Sequence, residues 1–239
     1  MPIANAKTDE AGVGLRPLLT LLQITDSLFP SGSFAHSYGL EKLFEGRRQV
    51  GRAELSRVVL AIWRRHLLRT EGLLGLHAHR AFSRGSLDRL VEADRALSAT
   101  KVARELREAS VATGRGFLSV ACAVIPELGG LAELVEAGTT PGNYAVLLHA
   151  AGAAAGAREQ ESGVAWGYQT IAQMMAAMLR LGALGHSDAQ LLLAESRGEI
   201  ESGIREITPL GMGDVSSFGP LLEISSFRHE RQYSRLFRS

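Results

Sequence analysis

Leu55-Ser56-Arg57-Val58-Val59-Leu60-Ala61-Ile62-Trp63-Arg64-Arg65-His66-Leu67 is the stretch that decides the fold class. Leu55, Val58, Val59, Ile62, Trp63 and Leu67 recur at intervals of three and four, whereas Arg57, Arg64 and Arg65 fall largely outside that stripe. Such spacing puts the apolar residues on one side of a helix with about 3.6 residues per turn; a half-buried strand would need strict alternation. The same period extends outward. Leu87, Leu90, Val91 and Leu97 mark a second helix, and Val102, Leu106 and Ala109 a third, with Arg104 and Glu108 at helix-neighbour spacing. Proline is absent from Ser31 to Ile125 and again from Gly142 to Thr208, so nothing in those spans forces a helix to stop. The expectation is an all-α, single-domain helical bundle.

Between Tyr144 and Leu181 alanine and glycine replace most large side chains, with Ala150-Ala151-Gly152-Ala153-Ala154-Ala155-Gly156 the extreme case. Small side chains let helix axes approach closely, which places this hairpin at the bundle centre or at a helix-to-helix subunit contact. Trp166 and Tyr168 are its aromatic exceptions, and two readings stay open for them: anchors of a dimer contact, or filling of the core. Near the N-terminus, Pro30 is expected to stop the first helix, Gly32 to permit a turn, and Ser33 to cap the next helix.

A length of 239 residues with 46% hydrophobic content is ample for one buried core. Lys+Arg 26 against Asp+Glu 25 leaves no whole-molecule field to attract nucleic acid or an anionic membrane. Cys122 is the only cysteine, which excludes an internal disulfide and a thiolate zinc cage; it reads as a small buried hydrophobe. Met1 to Gly14 has no long apolar run after a basic start, and about 18 uninterrupted apolar residues occur nowhere. A soluble cytoplasmic protein is expected. Its organisation reads as a flexible segment 1–14, a helical domain 15–210, and a linker with docking tail 211–239 in which Gly211, Gly213 and Pro220 break the helical pattern.

The tail is the local exception to the even charge balance. Arg228, Arg231, Arg235 and Arg238 share one helical face, Tyr233, Leu236 and Phe237 another, and Glu230 is the only acid in the last 12 residues. Guanidinium groups pair with carboxylates in bidentate geometry, so the patch suits an acidic or mixed protein surface; packing of the tail on its own core is the competing reading.

Chemistry is sparse. No nucleophile elbow, P-loop, dinucleotide fingerprint or His-Glu-x-x-His motif is present. His77 and His79, two apart on a helix, point about 200° from each other and cannot share an ion. His66, His149 and His186 stand alone, and His36 and His229 are the weak candidates for metal ligands because they sit in the two most distinctive segments. The sequence thus gives no catalytic residue, no cofactor site and no enzyme.

Those two segments carry a resemblance. Asp26-Ser27-Leu28-Phe29-Pro30-Ser31-Gly32-Ser33-Phe34-Ala35-His36-Ser37-Tyr38-Gly39-Leu40-Glu41 resembles the N-terminal motif of the urease accessory protein F (UreF) family, and His229-Glu230-Arg231-Gln232-Tyr233-Ser234-Arg235-Leu236-Phe237-Arg238-Ser239 resembles its ending. Glu105-Leu106-Arg107-Glu108-Ala109-Ser110 with Gly114-Arg115, and Leu184-Gly185-His186-Ser187-Asp188-Ala189-Gln190, are similar to its internal signatures in the same order. The resemblance implies an all-helical, dimeric, non-catalytic scaffold that helps load nickel into apo-urease. It implies as partners accessory protein D (H in some organisms) and the GTPase accessory protein G, with a tail that orders on binding protein D and is needed to recruit the GTPase. By this resemblance Phe34 and Arg235 bind a partner and the dimer contact lies near Ser162 and Trp166; the tail's own pattern adds Arg228, His229, Glu230, Tyr233, Leu236, Phe237 and Arg238 to the partner-binding set, and Tyr168 stays the other aromatic candidate for the dimer contact. Phe34 stands where other members can have tyrosine, which removes a phenolic hydroxyl. Two alternatives accompany the scaffold reading: direct nickel binding through His36 and His229, and GTPase activation by an arginine finger.

Overall fold

The computed structural model describes residues 14–32, 38–44 (the side chain of Lys42 aside), 47 and 50–217, and every described regular element is a helix. In chain order these are α1 (Leu15–Thr25), α2 (Leu40–Leu43), α3 (Arg52–Ile62), α4 (Leu73–Ser83), α5 (Leu87–Thr100), α6 (Arg104–Val124), α7 (Gly129–Glu136), α8 (Tyr144–Ala154), α9 (Glu159–Arg180) and α10 (His186–Ile207). One continuous core joins them, and no described helix is long and apolar enough to cross a membrane.

The stripe Leu55 to Leu67 does face this core: Leu55, Val59, Trp63 and Leu67 are all buried. Its helix does not stop at Ile62, however. From Trp63 to Gly72 it continues at the wider π pitch, closing with a Leu73 N–H to Leu68 C=O bond five residues back, and then runs on as α4 to Ser83. Extended π segments are rare and tend to occur where function or packing rewards the altered register.

The alanine- and glycine-rich hairpin lies at the centre. Every residue from Tyr144 to Gly152 is buried, as a helix that is apolar all round must be. Close approach explains the small residues. A Cβ added at Gly75 of α4 would lie 2.4 Å from His149 Nδ1 of α8, and one at Gly152 would lie 2.1 Å from Ser162 Oγ of α9. Gly114 of α6 is equally tight against backbone, 2.0 Å from the Gly142 carbonyl oxygen. Gly163 and Gly167 let α9 settle onto Ile204 and Ile200 of α10, while Gly203 accepts the Trp63 ring.

Two sequence expectations need correction. The first helix ends at Thr25, five residues before Pro30, because the Asp26 carboxylate accepts the Leu28 N–H at 2.7 Å and turns the chain locally. Gly32 does adopt a left-handed φ of 76°, and Ser33 lies outside the described residues. Val102 is exposed and precedes α6; the buried face of that helix is instead Ala109, Thr113, Gly114, Phe117, Leu118 and Ala121. Arg104 and Glu108 form the expected pair at 3.5 Å.

Candidate functional site

The π segment organises the polar features of the molecule. Glu71 and Lys101 form a buried ion pair, with side chains only 10% and 9% exposed, between the π segment and the turn before α6. Two charges removed from water in this way stay because they pair; removing either one would strand the other. Near them, the Tyr38 hydroxyl donates to Gln173 Oε1 at 3.1 Å and bonds Thr170, and the Tyr144 hydroxyl donates to Gln169 Oε1 at 2.8 Å and bonds Ser31. Burial, and for Tyr38 the charge of Glu71 as well, hold both phenols well above their ordinary range, so they remain neutral donors. Tyr38 is held at φ 51°, a left-handed conformation that a bulky side chain adopts only at a cost of about 1–2 kcal/mol.

A strap lies along this helix. After α10 the chain turns back, and Thr208 to Ser217 runs antiparallel along α4 and the π segment. Arg80 donates to the Thr208 carbonyl, and His77 Nε2 to the Leu210 carbonyl at 3.1 Å. Further along, the Ser216 N–H reaches the Arg69 carbonyl at 3.4 Å, and His66 Nδ1 lies 2.8 Å from Ser217 Oγ. A short 3-10 turn at Met212–Asp214 is closed by the Gly211 N–H on Asp214 Oδ2, while Leu210, Met212 and Val215 pack on the core. The described part of the expected linker is therefore bound to the body. Arg64 and Arg69 flank it with ion pairs to Glu206, and Arg64 also reaches Glu199.

The histidines serve as hydrogen-bonding groups rather than as a cluster. His66, His77 and His79 all have pKa values depressed by burial, and His149, fully enclosed by α4 and α9, is pulled down to about 4. His79 Nε2 bonds the Ala157 carbonyl and His149 Nδ1 the Ala145 carbonyl, leaving His149 Nε2 without a partner among the described residues. His77 and His79 do point to different elements, as their spacing on one helix requires. Among the described residues no group of three or more His, Cys, Asp or Glu side chains is arranged to hold a metal ion. Cys122 is half-buried, and burial raises its thiol pKa.

Ser162 and Trp166, two of the residues expected near a dimer contact, are buried within the single chain. Trp166 packs on Trp63 and His149, with ring centroids 6.4 and 5.8 Å apart. Tyr168, on the same helix, is 45% exposed and offers its ring to solvent. Phe34, His36, Arg228, His229, Glu230, Tyr233, Arg235, Leu236, Phe237 and Arg238 lie outside the described residues.

Sequence reading missed Glu71, Lys101, Asp94 and the strap. A signal existed for Lys101, one of very few lysines in a chain that otherwise uses arginine. Asp94 lies on α5, where a lone carboxylate ordinarily faces water. It is instead wholly buried, accepting from Thr140 Oγ1 and the Gly142 N–H at 2.6 Å and from the Asn143 N–H at 2.9 Å, and it fixes the start of α8.

Residues 50–197, which span α3 through most of α10, match the UreF family model. The urease accessory protein UreF of Bacillus sp. (strain TB-90) is 29% identical over 224 residues, covering 93% of this chain and 99% of the relative. That of Arthrobacter sp. (strain FB24) is 31% identical, covering 92% and 96%, and that of Paenarthrobacter aurescens (strain TC1) is 30% identical, covering 92% and 97%. A chain whose described elements are all helical, and which matches the family across its core and its members over more than nine-tenths of its length, belongs to the UreF family of urease accessory proteins.

Proposed function

We propose that this chain is a non-catalytic scaffold for nickel insertion into apo-urease, acting in the cytoplasm as a homodimer. It binds accessory protein D or H and recruits the GTPase accessory protein G; nickel is the cargo of the complex, not a resident cofactor of this chain. The observation that carries the reading is similarity to urease accessory proteins over 92–93% of the chain. The buried polar pairs support it: Glu71 with Lys101, and Asp94 with Thr140 and Asn143, lock the fold, as suits a body that holds partners. Docking is assigned to the tail, with Arg235 as the anchoring guanidinium, because arginine and aromatic side chains supply most of the energy at protein interfaces. Tyr168, exposed on α9, is the residue best placed for the contact between copies.

Pull-down with the two accessory partners tests the assignment. Arg235→Ala should leave the folded chain intact and reduce GTPase capture at least tenfold; undiminished capture would remove the tail from the function.

A further inference from the structure

Four groups on one long helix hold ten residues of strap in reverse order. Arg80 takes Thr208, His77 takes Leu210, Arg69 takes Ser216, and His66 takes Ser217. Helix rise places these anchors roughly 20 Å apart from first to last. Without them the chain would leave the body where α10 ends. With them it leaves beside the π segment, next to the Glu71–Lys101 pair, whose charges both act on His66 and of which Glu71 also acts on Tyr38. Tyr38 belongs to the N-terminal motif, so the end of the strap and that residue stand under the influence of the same carboxylate, Glu71.

We propose that the strap Thr208–Ser217 is a positioning element, pinned by His66 and His77, that sets the exit point of the C-terminal docking segment. Three observations converge on it. Neutral imidazoles are suited to the two contacts, because an ammonium or guanidinium beside Lys101 or Arg80 would add repulsion. The strap has its own turn and its own apolar contacts through Leu210, Met212 and Val215, so it is built to lie flat rather than to span a gap. Finally, the π pitch begins just before His66 and ends just after Glu71, so the altered register presents both residues on this segment. The importance of the exit point rests on the tail-docking reading above, whereas the pinning itself does not.

Hydrogen exchange on the full chain tests the pins directly, since the Ser216 N–H is the strap amide given to the helix. His66→Leu and, independently, Ser217→Ala should each speed exchange of the 211–217 amides roughly three- to tenfold, the loss of one hydrogen bond to local opening, with α8 amides unchanged. His66→Asn, whose amide nitrogen can stand where Nδ1 stood, should restore protection. Ser217→Ala alters an exposed residue and leaves the core intact, so it keeps the test decisive if His66→Leu misfolds. Exchange equal to wild type in Ser217→Ala, or equally fast in His66→Asn and His66→Leu, would overturn the proposal. A chain ending after Ser217 that still captured the GTPase normally would sink tail docking while leaving the strap in place.

Discussion

The contact of α8 with α4 and the contact of the strap with the π segment lie on the same long helix, yet they are built on opposite principles. At the first, glycine meets the side of an imidazole with no room for a methyl group, and apolar burial with shape does the holding. At the second, His77 and the Arg80 side chain hold strap carbonyls, His66 holds a strap hydroxyl and the Arg69 carbonyl accepts the Ser216 N–H, much of it near solvent. The difference teaches that the centre is fixed by volume and its flank by hydrogen bonds. Volume is intolerant but unspecific, whereas hydrogen bonds are weaker singly and can be made or broken one at a time.

The sharpest way to break this contrast is at the buried pair, where polar chemistry reaches the core. Lys101→Met should destabilise the chain by about 3–5 kcal/mol, because Glu71 is left charged and enclosed; urea unfolding would read it as a lower midpoint with unchanged slope. The double change Glu71→Leu with Lys101→Met should recover most of that loss. If it recovers nothing, the pair is doing more than balancing its own desolvation.

Acid is the next largest lever, and it acts on the centre. His149 has a folded pKa of about 4 against an ordinary value near 6.5, so the unfolded chain binds the extra proton first. Stability is therefore unaffected above about pH 6.5 and falls by about 3 kcal/mol as pH drops toward 4, with His66, His77 and His79 adding in the same direction. Thermal unfolding across that range should show the slope, and His149→Leu should flatten it.

Smaller again is a test of volume alone. Gly75→Ala forces a Cβ into the His149 ring and should cost about 1–3 kcal/mol in urea unfolding, without altering exchange of the strap amides. Loss of strap protection in that variant would show that centre and flank are coupled through α4, and the contrast would need to be redrawn.

Helical class and the close packing of the small-residue hairpin were legible from the sequence, because periodicity and side-chain size act locally and each residue reports its own side; that the hairpin lies at the centre rather than at a subunit contact was not. Leu55, Val59 and Trp63 were correctly placed on the core for that reason. Trp166 was ambiguous, since an aromatic among alanines can fill its own core or a neighbour's, and only the packing of Trp63 and His149 around it shows that it is enclosed by this chain. Asp94 was illegible for a related reason. A carboxylate on a helix looks solvated until Thr140, Gly142 and Asn143 arrive from elsewhere to satisfy it.

By itself the sequence determined that the chain is helical, which hairpin packs closely, and which family its motifs resemble; these follow from patterns that neighbouring residues carry along one chain. Only the tertiary structure decided that the helix widens between Trp63 and Gly72, that Glu71 finds Lys101, and that Thr208 to Ser217 folds back as a strap. Those outcomes depend on pairings between residues 30 to 151 positions apart, and a one-dimensional pattern states which groups need partners without stating which partners reach them.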